Sequence, residues 1–100
     1  MDRYCVKLLS AAYRNLDSIF AFIANEINAE LSAINLIDKL EEAILSLEVM
    51  PQRGARRRVG AYASRGYRQL FVKNFTIVYR IDERKKEVII VAVRYSRSEF

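Results

Sequence analysis

Residues 67–81 read YRQLFVKNFTIVYRI, and the fold turns on how they pair. Two runs rich in β-branched and aromatic residues flank Lys73-Asn74, which predicts two strands joined by a two-residue turn. Asn74 is the member of that pair expected to take a positive φ. So short a turn sets the partners: Val72 opposite Phe75, Leu70 opposite Ile77, Arg68 opposite Tyr79. That face is apolar except for Arg68 at its rim, so it is expected to pack on other elements. The opposite face carries Tyr67, Gln69, Phe71, Lys73, Thr76, Val78 and Arg80, half polar and half apolar, and is expected to stay open.

Toward the C-terminus, DERKKE (82–87) reads as a looser, charged turn and EVIIVAV (87–93) as a third strand. The aliphatic run then breaks into RYSRSEF (94–100). This tail reads as the cationic rim of an open sheet. It is expected to lie near Arg68 and the 53–65 segment and to form one positive patch with them.

Toward the N-terminus, QRGARRRVGAYASRG (52–66) holds all three glycines and an arginine cluster, and reads as a cationic loop. Before it, Ala33, Leu36, Ile37, Leu40, Ala43, Ile44 and Leu47 recur at helical spacing. Asp38, Lys39, Glu41, Glu42 and Glu48 fall elsewhere, and Pro51 is expected to stop the helix. An earlier stripe of Ala12, Leu16, Ile19, Phe20, Ile23 and Ile27 predicts another amphipathic helix, with Ser10 as its cap. The polar stretch 28–32 separates the two, and Tyr4–Leu9 alternates like a short strand. The resulting class is α+β: a strand, an antiparallel helical hairpin, then a three-stranded antiparallel meander. The helices cover one face of a small sheet, in one domain spanning 1–100.

Composition narrows the function classes. The chain is 52% hydrophobic, enough for one core. Its longest apolar run falls well short of the ~20 residues a bilayer span needs. The opening MDRYCVKLLS is too short and too charged for a signal peptide, and the chain suits the cytoplasm. Cys5 is the only cysteine and histidine is absent, which argues against an internal disulfide and a transition-metal site. No cofactor is expected. Glu41 and Glu42 are helix neighbours that diverge by about 100°, so they read as a solvated face rather than a carboxylate pair. Charge is divided along the chain. Residues 1–50 carry four basic and eight acidic side chains, 4 − 8 = −4; residues 51–100 carry thirteen and four, 13 − 4 = +9. The second half is expected to attract polyanions.

Four stretches together resemble the RelE/ParE toxins of bacterial toxin–antitoxin systems. They are YCVKLLSAAYRNLDSIFAFIA (4–24), AILSLEVMPQRG (43–54), YRQLFVKNFTIVYRID (67–82) and VIIVAVRYSR (88–97), in order and at the family's length. The resemblance implies a small basic toxin, often carried for plasmid stabilisation, and a partly disordered cognate antitoxin that wraps it. It also implies one of two targets. RelE-like members cut messenger RNA in the ribosomal A site; ParE-like members poison DNA gyrase.

RNA cleavage needs a proton acceptor, a proton donor and cations for the phosphorane-like charge. By resemblance, Arg68, Arg94, Tyr95 and Arg97 are the candidate catalytic set. The nuclease pattern has further basic residues where this chain has Leu70 and Thr76, and one branch has a histidine where Ser96 stands. Arginine stays charged and carries protons poorly. The alternative is that these arginines grip gyrase or acidic antitoxin segments. Arg56, Arg57, Arg58, Arg65, Lys73 and Arg80 are candidates for nucleic-acid or target binding. Tyr67, Gln69, Phe71 and Val78 are candidates for antitoxin binding. A different class of reading is a plain nucleic-acid-binding module, with Tyr62 and Tyr67 stacking on bases among the arginines.

Overall fold

The computed structural model describes residues 3–58, 60, 63 and 65–97. Strand β1 (Cys5–Leu8) leads into helix α1 (Ser10–Ala21), which runs on through a π-helical turn (Phe22–Glu26). Helix α2 (Glu30–Leu45) returns, followed by 3-10 turns at Ser46–Glu48 and Pro51–Arg53. Strands β2 (Ala55–Arg56), β3 (Arg68–Val72), β4 (Phe75–Asp82) and β5 (Glu87–Tyr95) complete the chain. The sheet order is β1-β5-β4-β3-β2. Strands β1 and β5 pair in parallel, so the first and last described strands lie side by side. The Lys7 ammonium lies 2.5 Å from the Glu87 carboxylate across that pair.

The hairpin register is the expected one: Arg68 faces Tyr79, Leu70 faces Ile77 and Val72 faces Phe75. Ile77 and Tyr79 are fully buried against Leu16, Leu40, Ile44 and Leu47 of the helical layer. Strand β2 is an addition to the expected meander, formed because Ala55 and Arg56 pair with Gln69 and Arg68. At the tight turn it is Lys73, at φ 54°, that takes the left-handed conformation expected of Asn74.

The unalternating aliphatic run of β5 has a geometric cause. Tyr79 pairs with Ile90 and Val78 with Ala92, leaving Val91 as the extra residue of a β-bulge. Even positions before the bulge (Val88, Ile90) and the odd position after it (Val93) therefore face the helices. Ile89, Val91 and Ala92 face the other way, with Val78 and Tyr67. A strand with a core on both sides has no polar face to show.

Three expectations need correction. Ser10 is the first helical residue and makes no capping bond, because Leu9 occupies the cap position in extended conformation. Ile27, counted on the buried stripe of the first helix, is 56% exposed. The π turn inserts a residue into the helical repeat and rotates the positions beyond it. The outer face of the hairpin is not fully open: Val78 is buried there in a second small cluster with Ile89, Val91 and Ala92, and Thr76 is buried as well.

Candidate functional site

The outer half of the sheet is organised around one buried phenol. The Tyr79 hydroxyl donates to the Pro51 carbonyl at 2.6 Å and accepts the Gly54 amide at 3.1 Å. Burial pushes this phenol above its ordinary pKa, so it stays protonated and can donate. A Cβ on Gly54 would sit 2.1 Å from the Tyr79 hydroxyl oxygen and 2.7 Å from the Gln69 carbonyl, so only glycine fits. Met50 reaches this turn through a left-handed φ of 55°. The stretch MPQRG is thus a fixed corner that delivers β2 to the sheet edge.

Arg68 completes the corner. One of its guanidinium nitrogens donates to the carbonyls of Gln52 (3.0 Å) and Gly54 (2.6 Å). Gln52 in turn reaches Glu83, which also accepts from the Tyr4 hydroxyl at 2.7 Å. Those hydrogen bonds, Tyr4 first, hold the Glu83 carboxyl below its ordinary range. Arg53 hydrogen-bonds the Ser46 hydroxyl nearby.

The expected single positive patch does not form. Arg68 pairs with Tyr79 on the helix-covered face, whereas Arg94 pairs with Thr76 on the outer face. Three residues of β4 separate those rungs, roughly 10 Å along the strand. Arg97 lies with Arg94, at the Lys73-Asn74 end, where the Ser96 amide donates to the Asn74 carbonyl at 2.7 Å. Alternation places Arg68 and Arg94 on opposite faces, so Arg68, Arg94, Tyr95 and Arg97 do not converge. Tyr95 meets Phe75 edge-to-face, with ring centroids 5.8 Å apart. Beside them α1 and β5 frame a cavity of about 550 Å³ lined by Ile19, Phe22, Ile23 and Val93 as well. Phe22, at 58% exposure beside this cavity, was not singled out from the sequence.

At the same end Thr76 is buried and its hydroxyl lies 2.9 Å from the Ser96 hydroxyl. On the outer face Arg57 is only 9% exposed and donates to the Gln69 side chain at 2.7 Å. That bond occupies Gln69, and Tyr67 packs on the Val78 cluster. Phe71 stands out at 61% exposure, while Val78 offers no surface to a partner. Arg56, Arg58, Arg65, Lys73 and Arg80 are exposed. Tyr62 and the last three residues of the tail lie outside the described residues. Among the described residues no cluster of potential ligands could hold a metal ion, and no helix is long and apolar enough to cross a membrane.

A family model described as the ParE toxin of the type II toxin–antitoxin system, parDE, matches residues 6–100. The chain belongs to the ParE toxin family. Solved structures share this ParE fold at low identity. One is a chromosomal ParDE system from P. aeruginosa, 20% identical, with a TM-score of 0.76 and 93% of this chain and 96% of that one covered. A second is the RelBE2 toxin–antitoxin complex from Mycobacterium tuberculosis: 21% identity, TM-score 0.70, coverage 93% and 98%. A third is a double arginine-to-alanine mutant of the E. coli toxin RelE in the free state, at 9% identity and TM-score 0.63, covering 95% and 85%. No curated protein matches the sequence significantly. In this ParE toxin, as in those structures, helices pack on one face of a mixed sheet.

Proposed function

We propose that this ParE toxin inhibits growth by acting on DNA gyrase, without cutting RNA, and that a cognate antitoxin neutralises it. The observation that carries the reading is the hydroxyl pair of Thr76 and Ser96. By resemblance, nucleolytic members hold a basic residue at the first of these positions, and one branch of them holds a histidine at the second. Here they hold two alcohols hydrogen-bonded to each other, and neither an alcohol nor its partner ionises near neutrality to serve as general acid or base. One nitrogen of Arg68 is tied to two backbone carbonyls, which supports a role in holding the corner. The antitoxin contact is proposed at exposed Phe71 with Lys73, Arg94 and Arg97 at the same end of the sheet, a mixed apolar and cationic surface suited to an acidic amphipathic segment.

Inducible expression tests this. Growth arrest with intact messenger RNA and gyrase trapped on broken DNA supports the reading. Ribosome-dependent mRNA fragments with freely cycling gyrase overturn it.

A further inference from the structure

A second feature of the outer sheet points to a ligand of its own. Where β2 ends, the Arg57 amide donates to the Tyr67 carbonyl at 2.8 Å, so residues 56–58 and 66–67 meet in a fixed neck. Gly66 re-enters the sheet at a φ of +79°, which a side chain would strain. At this neck lies a cavity of about 260 Å³ lined by Arg56, Arg57, Arg58, Gly66 and Tyr67. Among the described residues no carboxylate lines it. Three consecutive arginines are among its lining residues, and an anion there relieves the repulsion between their charges. Arg57 is the anchored member, nine-tenths buried and held by Gln69; Arg56 and Arg58 are exposed and can close on a ligand.

We propose that this neck is a phosphate pocket that takes a phosphodiester of a nucleic-acid backbone. Guanidinium forks match phosphate oxygens with paired hydrogen bonds. The volume is below the ~300–1,000 Å³ of small-molecule sites, which suits a group that remains part of a longer chain. The half-buried Tyr67 lines the same pocket, and an aromatic side chain there favours a nucleotide, whose base can stack, over a peptide carboxylate. The pocket lies at the opposite end of β3 from the Thr76–Ser96 pair, so it is a binding site and not a cleavage site. It goes beyond the gyrase reading and does not depend on it.

The test is fluorescence anisotropy of the full chain with a labelled single-stranded DNA oligonucleotide across a salt series. Changing Arg56 and Arg58 together to Gln is expected to weaken binding about tenfold and to flatten the log–log salt slope by roughly 0.7 per phosphate lost. Arg84→Gln with Lys85→Gln removes the same charge from the distal turn and is expected to leave affinity within about twofold. Arg57→Lys keeps the charge but loses the fork; it is expected to weaken binding while the thermal melt shows a folded protein. Absence of binding by the wild-type chain overturns the proposal, as does equal weakening by the distal pair. A polyglutamate peptide that outcompetes the oligonucleotide at the same arginines also overturns it, in favour of an acidic peptide site. A chain that poisons gyrase but ignores the oligonucleotide defeats this inference alone.

Discussion

Tyr79 and Gly54 carry the corner on which the outer sheet depends. Tyr79→Phe strands the Pro51 carbonyl and the Gly54 amide, and is expected to cost about 1–3 kcal/mol in urea unfolding. Gly54→Ala collides with the same hydroxyl, and is expected to cost less in the Tyr79→Phe background than alone. Additive losses would show that the phenol is not the obstacle. Arg68→Ala is expected to lower the melting temperature, because two carbonyls lose their donor, whereas Arg97→Ala is not. Glu83 sets an acid limb. Its pKa is lowered in the folded state, so its contribution is complete above the ordinary carboxylate value and fades as pH falls through the folded one. Glu83→Gln is expected to flatten the acid side of a stability–pH curve and to leave its slope near neutrality unchanged.

Hairpin register was legible from the sequence because a two-residue turn admits few pairings and its apolar face had one consistent side. The helices were legible for the same reason, as Leu40, Ile44 and Leu47 fall where their spacing puts them. The bulge at Val91 was not, because a run buried on both faces carries no period to break. It also explains why arginines close in the family pattern end up on opposite faces: a linear pattern records spacing, while sheet alternation decides the side. Deleting Val91 is expected to leave a regular ladder with Ile90 and Val93 still facing the helices, so that variant unfolds cooperatively. Deleting Ile89 turns Val88 away from the core and is expected to cost about 2–4 kcal/mol more. Near-equal losses in chemical denaturation would mean the bulge, not the facing, matters.

Across the whole molecule, charge follows architecture. The acidic side chains concentrate on the helical half and the basic ones on the sheet and its loop, from −4 in residues 1–50 to +9 in residues 51–100. Such a bipolar molecule meets an anionic partner sheet-first, so association with gyrase–DNA or with an acidic antitoxin segment is expected to slow markedly as salt rises from 50 to 200 mM. Stopped-flow mixing measures that rate, and insensitivity to salt would contradict the sheet-first approach. The charge imbalance was visible in composition, but its function was not, because polyanions of every kind respond to it. The proposed distinction between nuclease and gyrase poison rests on the chemistry at Thr76 and Ser96. The most direct measurement incubates the purified toxin with gyrase and relaxed plasmid, and separately with translating ribosomes. A gyrase poison without nuclease chemistry gives blocked supercoiling with linear DNA released by protease, and full-length mRNA on the ribosomes. Cut mRNA beside uninhibited gyrase would contradict it.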